Sequence, residues 1–554
     1  MPFEVRTLHW LHGPKDQANS ATVQYTFSHR CFLSRVSRST IGGSTGVGAG
    51  LSTNWIIIYA IVLVLYTILM YVIGWLAERR ISSVEDFLVA GRKLPLPMAT
   101  ATLVATWFGA EVLLQTSDEV YSGGLRFAVM DPLGTGLCLI LAGWLIAKPM
   151  WKMQLTTVPD FFYRRFGRAS EVLAAIVLIP SYFGWVAAQF TGLAALLEII
   201  FGIPMVWGII LVAVLGTGYT VLGGMWSVAW TDAVQMIFIL IGLLILGYET
   251  AIFLGNGSFQ AGMTAFWNQV PKNRWVVVAP ETRSADILHL CGALAIGALG
   301  NIPVQDLMQR MFAAKSANVA RWACWSSGIL YILMATVPLA VSLAANVVLG
   351  ESEETGVITR MAVKLLNPFL LLFFVLAVVS AVLSTVDSAI MAAASIFGQN
   401  VILHLPGAKR WRLSEVAILR LQRVCVVLVA ILSLATAFSD RAAYELMRDS
   451  YSMTLVGLFV PLMAGLYWVE VTHRATLLAM VSGIACWFVH WWLDWEFALQ
   501  GILEPRLPVT LNWLAQVPQE LFATLASLLG LVLGAEKWKF TLNREHANSS
   551  TETT

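Results

Sequence analysis

Charge is scarce in this chain. Of its 554 residues only 12% are Asp, Glu, Lys or Arg, while 58% are hydrophobic. Soluble domains carry about 25% charged and about 45–50% apolar residues, so a globular water-soluble protein is excluded. Histidine is sparse too, with 8 copies. His289, His404, His473 and His490 fall in or beside different apolar stretches and form no HExxH-type motif, which argues against an integral-membrane enzyme. Six cysteines stand at 31, 138, 291, 324, 425 and 486 with no CxxC pair and no metal-ligand spacing. They read as small core hydrophobes, and no organic or metal cofactor is expected. No polar stretch is long enough for a soluble kinase, nucleotide-binding or peptidase domain. A net charge of +2 gives no reason to expect a nucleic-acid partner.

What the chain has instead is apolar sequence in membrane-length runs. A bilayer-spanning helix needs about 20 apolar residues. About thirteen such runs are present, roughly 54–76, 97–118, 127–150, 170–201, 204–224, 231–253, 285–309, 321–349, 367–397, 417–438, 443–469, 474–496 and 516–535. The expected fold is an all-α polytopic membrane protein, with the lipid bilayer as its partner. Lys and Arg crowd alternate loops, including Arg79, Arg80, Arg92, Lys93, Arg164, Arg165, Arg168, Lys409, Arg410 and Arg412. Cytoplasmic loops carry such an excess, which places the N-terminus outside and the C-terminus inside. A bacterial inner membrane is the expected location.

Residues 1–52 differ from the rest. They are polar, lack the apolar core of a signal peptide, and end in the Gly-rich run 42–50. They read as a disordered tail or an over-extended start. The membrane domain then covers 53–535, and 536–554 reads as a cytoplasmic tail. A GxSxG match at 42–46 has no preceding strand and is taken as chance.

Within 367–397, positions 381, 384, 385 and 388 recur at helical i, i+3, i+4 and i+7 spacing. Ser384, Thr385, Ser388 and the small Ala381 therefore share one face. Lipid offers hydroxyls no partner, so this face should meet another helix, water or an ion. Plain helix packing is the competing explanation.

Two spans carry helix-breaking sequence at mid-depth. The second holds ATWFGAE at 105–111, and the seventh holds GALGNIP at 297–303. Irregular backbone at that depth is tolerated where it lines a cavity or is buried in protein. Interrupted helices in corresponding positions of two five-helix halves point to an inverted-repeat transporter, with repeats at about 97–253 and 285–469. In that fold, unwound carbonyls at Ala105 and Phe108 would face Ala381, Ser384 and Thr385. Such uncharged oxygens suit sodium better than zinc or copper.

Asp232 follows Thr231 where a helix is expected to begin. It reads either as an N-terminal cap or as a station on the ion's inward path. Asp387 and Glu111 are membrane-depth carboxylates that need compensation or water. Trp107, in the break, and Trp185, beside Gln189, offer aromatic faces to a cationic group. Packing alone would explain either tryptophan.

The chain resembles the sodium:solute symporter family over about residues 77–470. The resemblance rests on FLVAGR at 87–92, ATWFG at 105–109, AKPM at 147–150, VLGGMWSVAWTD at 221–232, GNIPVQDLMQR at 300–310 and the hydroxyl helix. Within the family it looks most like the choline-transporter-like branch. The resemblance implies a LeuT-type 5+5 core of ten helices with one helix before it and two after, and coupled uptake of sodium and a solute. It maps the family's ion site onto Ala105, Phe108, Ala381, Ser384 and Thr385, and its acidic position onto Asp232. Trp107 and Trp185 match the aromatic pattern of the choline branch, but Thr135 and Val304 stand where further aromatics would be expected. The expected function is a sodium-coupled symporter for a small polar or cationic solute. Trp107, Glu111, Trp185, Gln189, Asn301 and Gln305 are its candidate substrate contacts. A membrane sensor retaining the fold is the alternative, and solute accumulation separates the two.

Overall fold

A computed structural model describes residues 51–278, 284–350, 355–405, 413–439, 443–468, 470–498 and 516–535. The expected tail up to residue 50, Cys31, the basic residues Lys409, Arg410 and Arg412, and the segment 536–554 lie outside the described residues. Helices follow the apolar runs: α1 Thr53–Glu78, α2 Leu96–Trp107, α3 Glu111–Gly123, α4 Leu125–Leu145, α5 Arg168–Phe201, α6 Met205–Leu254 and α7 Asp286–Ala313. They continue as α8 Ala317–Val348, α9 Pro368–Ile402, α10 Glu415–Ala437, α11 Glu445–Tyr467, α12 His473–Trp492 and α13 Gln519–Leu533.

α6 has 50 residues. At 1.5 Å per residue a straight helix of that length would reach about 75 Å, more than twice a bilayer's hydrocarbon core. It is broken at Gly224, whose φ of 50° and ψ of −147° leave the helical region. Contacts along α1 show what the break does. Tyr59 meets Phe201 just ahead of α6, Tyr71 meets Tyr219, and Gly74 abuts both Tyr219 and Ser227. After the break the partners run back along α1, with Tyr66 against Phe238. The chain reverses at Gly224, where any Cβ would strike the Phe87 backbone and ring. The two halves match the expected spans 204–224 and 231–253.

Ten helices among the described residues are individually long and apolar enough to cross a membrane. The bent pair α2–α3 adds an eleventh span, and the reversal inside α6 makes twelve. The thirteenth expected span is α13, a helix of 15 residues. It is shorter than the roughly 20 residues a straight crossing takes.

α9 forms the centre. Asn367 caps it by accepting from Leu370 N at 3.0 Å, and Pro368 occupies its first turn. Its residues 374–396 are buried all round, as expected of a helix apolar on every side. It packs on α6, α5, α10 and α2. The basic loops gather on one face of the molecule. Arg92 donates to the carbonyls of Leu155 and Phe312 at 2.9 and 3.2 Å, Arg168 to that of Asn400 at 3.1 Å, and Trp151 to that of Ala314 at 2.8 Å.

Candidate functional site

The second span is broken between α2 and α3, which bend by 50°. Phe108 leaves the helical region at φ −89°, ψ 68°. Ala110 N–H, which a continuous helix would aim at Thr106 O, donates instead to Gln189 Oε1 at 2.8 Å. Ala105 O has no helical partner from Gly109 and accepts Ser384 Oγ at 2.8 Å. Ser384 Oγ also lies 2.8 Å from Ala381 O, and Thr385 Oγ1 donates to Ala381 O at 3.1 Å. Thr106 Oγ1 and Ser388 Oγ pair at 3.1 Å. The hydroxyl row of α9 thus faces the broken span. Gly109 is required there, because a Cβ would sit 2.5 Å from Thr385 Oγ1, 2.6 Å from Gln189 Oε1 and 2.7 Å from Glu111 Oε2.

The seventh span is broken as well. A widened π-turn at Ile296–Gly300 leads into a turn at 301–303, and a regular helix resumes at Gln305–Ala313. Between the two breaks lies a small cavity lined by Trp107, Ser181, Tyr182, Trp185, Asn301, Val304, Asp306, Ser450, Tyr451 and Thr454. Asp306 fixes its walls. Its carboxylate accepts Trp107 Nε1 and, at 2.5 Å, the Tyr182 hydroxyl, while its own N–H donates back to Tyr182 at 2.9 Å. Trp185 stands 6.0 Å from the Tyr182 ring and 6.4 Å from the Tyr451 ring. Of the residues expected here, Trp107, Trp185 and Asn301 line the cavity. Glu111 and Gln189 do not; they bond to each other beside Gly109. Gln305 is also elsewhere, accepting Val158 N–H at 2.7 Å and donating to Thr156 O and Ser395 Oγ, both at 3.1 Å.

Asp232 is not a helix cap. The helix restarts directly after Gly224, so Asp232 lies two turns inside it, and Thr231 bonds its own helix at Ser227 O and Val228 O. Its carboxylate is buried, accepts the Thr102 hydroxyl, and stands 3.9 Å from Arg310 Nη2. Arg310, 1% exposed, also donates to Thr102 Oγ1 at 3.2 Å, to Asp306 O at 3.0 Å and to Ser388 Oγ. Ser388 in turn donates to Asp387 Oδ1 at 3.0 Å. One guanidinium therefore stands among two buried carboxylates, reached through the same hydroxyl row.

The profile of the sodium:solute symporter family matches residues 87–483. The chain belongs to that family. Relatives include the high-affinity choline transporter 1 of Drosophila melanogaster, 28% identical over 72% of this chain and 65% of the fly protein. The human high affinity choline transporter 1 is 27% identical over 76% of this chain and 75% of its own length. A sodium/glucose cotransporter of Vibrio parahaemolyticus is 24% identical over 73% and 78%. In fold the chain is similar to a Na+-coupled sialic acid symporter solved in a substrate-bound outward-open state, with a TM-score of 0.68 at 18% identity. That likeness covers 85% of this chain and 98% of the other. A nucleobase-cation-symport-1 family transporter gives 0.52 at 14% identity, over 83% and 97%. The fold is LeuT-type, and the protein is a multi-pass, sodium-coupled symporter of a small organic solute.

Sequence reading misses Tyr182, Asp306, Arg310 and Tyr451 as site members. Tyr182 is within its reach, since it precedes Trp185 by one helical turn and shares its face. Asp306 and Arg310 sit one turn apart directly after the second break, inside one of the motifs that carry the family resemblance. Tyr451, in α11, carries no local signal.

Proposed function

We propose that this symporter moves a small organic cation, with a quaternary ammonium compound as the leading class, together with sodium. The observation carrying the reading is the cavity between the two helix breaks. Four aromatic rings (Trp107, Tyr182, Trp185 and Tyr451) surround it beside the buried Asp306 carboxylate. Aromatic faces and a carboxylate both favour positive charge, most strongly where water is excluded. The names of the choline-transporter relatives agree with that class.

Sodium is assigned to the meeting of the broken span and α9, with Ala105 O, Phe108 O, Ala381 O, Ser384 Oγ and Thr385 Oγ1 as ligands. The donor set fits, being neutral oxygens at a place where the helix has freed its carbonyls. Sodium bound there fixes the break, and the break carries Trp107, one wall of the solute cavity. Binding the ion thereby favours the arrangement that binds the solute, which is the coupling symport needs. Asp232 lies on the ion's route towards the face where the basic loops gather. That face is assigned to the cytoplasm, with the N-terminal end of α1 outside, in a bacterial inner membrane.

Uptake into proteoliposomes, with and without an inward sodium gradient, tests the reading. The panel is choline, betaine, proline, pantothenate and short carboxylates. Sodium-driven accumulation of choline or another quaternary ammonium compound is expected. Accumulation of carboxylates alone would refute the cation assignment and leave symport standing.

A further inference from the structure

A second polar cluster adjoins the broken span, and neither the cavity nor the α9 face uses it. Glu111 opens α3 and Asp131 lies near the start of α4; each is 1% exposed. Tyr331 of α8 donates to Asp131 Oδ1 at 2.7 Å. The hydroxyls of Thr116 of α3, 0% exposed, and Thr135 of α4, 3% exposed, stand beside the same carboxylate as potential donors, short of a well-formed hydrogen bond. Asp131 Oδ2, Thr116 Oγ1 and Thr135 Oγ1 are all buried without a partner. Glu111 accepts a hydrogen bond from Gln189 Nε2. Tyr331 and Tyr451 are the other ionisable groups facing the pair, with Asp306 beyond. Among the described ion pairs none involves Glu111 or Asp131.

Two membrane-depth carboxylates without a basic partner persist as anions only with positive charge from elsewhere. Three unpartnered oxygens around Asp131 show where that charge would sit. We propose that Asp131, Thr116, Thr135 and Glu111 form a second sodium site, distinct from the Ser384–Thr385 face. Carboxylate and hydroxyl oxygens are hard donors of the kind that hold such an ion. Both sites adjoin the break, because the Cβ position of Gly109 lies 2.5 Å from Thr385 Oγ1 and 2.7 Å from Glu111 Oε2. Two ions then stabilise one arrangement of the broken span from two sides, and each solute moves with two sodium ions.

The proposal rests on the sodium coupling assigned above, and counting ions separates the two. The probe is labelled sodium alone, bound at equilibrium to the full-length protein in lipid nanodiscs, with the sodium-to-solute flux ratio measured in proteoliposomes. The wild type is expected to bind two ions, Ser384→Ala two with one of them about tenfold more weakly, and Asp131→Asn one, with the flux ratio of Asp131→Asn falling from two to one. Thr135→Val, which leaves every charge in place, is expected to raise the sodium concentration for half-occupancy of the second site about tenfold. If Asp131→Asn and Thr135→Val both keep the wild-type ion count, affinity and flux ratio, the second site is refuted while coupling at α9 survives. A wild type that binds one ion, weakened by Ser384→Ala and untouched by Asp131→Asn, refutes the second site in the same way. If it binds none, the sodium assignments fall together.

Discussion

Two buried carboxylate clusters flank the same broken helix, and they are balanced differently. Around Asp232 and Asp387 the protein supplies its own cation, the buried Arg310, tied in through Thr102 and Ser388. Around Glu111 and Asp131 the described residues supply hydroxyls and one amide, with no guanidinium or ammonium among them. The first holds a guanidinium 3.9 Å from Asp232 and hydrogen-bonded to its neighbours, although Asp232 Oδ1 and Asp387 Oδ2 are themselves buried without a partner. The second has the donors of an ion site with the positive charge left to a ligand. Burial alone therefore does not separate a structural carboxylate from a working one. The origin of the compensating charge does.

Removing Arg310 should make the first cluster resemble the second. Arg310→Ala leaves Asp232 and Asp387 with no guanidinium, and breaking a buried pair this way costs about 3–5 kcal/mol. Thermal unfolding in detergent should show it as the least stable single variant of the set. Stability equal to the parent's would mean that those carboxylates are neutral in the folded protein, and the contrast between the clusters would collapse. The matched aspartate variants sharpen it further. In sodium-free buffer Asp232→Asn should destabilise by about 2 kcal/mol, because it weakens charged hydrogen bonds. Asp131→Asn should raise stability by about 1–2 kcal/mol, since it removes an unpaired buried charge. Shifts in the same direction for both variants would refute the distinction.

The ion face assigned on α9 is probed by Ser384→Ala. Loss of one ligand oxygen, about 1.4 kcal/mol, should raise the sodium needed for half-maximal uptake roughly tenfold. An unchanged sodium requirement would remove Ser384 from the ion's shell. Trp107→Phe keeps an aromatic face and deletes the donor to Asp306, a loss of about 1 kcal/mol. It should weaken solute binding about fivefold and leave sodium binding nearly untouched; an equal effect on both would place Trp107 in the ion site instead.

These tests also mark where the sequence is legible. The α9 hydroxyl face can be read because helical spacing is local, and it meets the broken span. Both breaks can be read because glycine and proline weaken a helix wherever they occur. The reversal at Gly224 shows in the sequence as a gap between spans, yet Asp232 falls inside a helix because that helix restarts at Met225 rather than near Thr231. Partnerships across spans cannot be read. Trp107 and Asp306 are 199 positions apart, and Arg310 and Ser388 are 78 apart, so neither pairing leaves a periodic trace. Glu111 and Gln189 stand near the site, as their sequence context suggests, but only their mutual bond shows that they frame the break and leave the cavity to others.

The smallest effect belongs to a half-exposed carboxylate–guanidinium pair, which tests whether a partner or burial sets the cost. Glu78 and Arg423 approach to 2.6 Å at the end of α1, closer than Asp232 and Arg310, but their side chains are 35% and 34% exposed. Water there solvates either charge once the other is gone, so exposed pairs contribute about 0–1 kcal/mol. Glu78→Gln should therefore shift unfolding by less than about 1 kcal/mol, and less still at high salt. Arg423 keeps its bond to Leu222 O at 3.1 Å in that variant, so the loop's position is not at stake. If Glu78→Gln cost as much as Arg310→Ala, proximity would govern these pairs and depth would not. Burial would then no longer distinguish the Asp232–Arg310 pair from one that water can solvate.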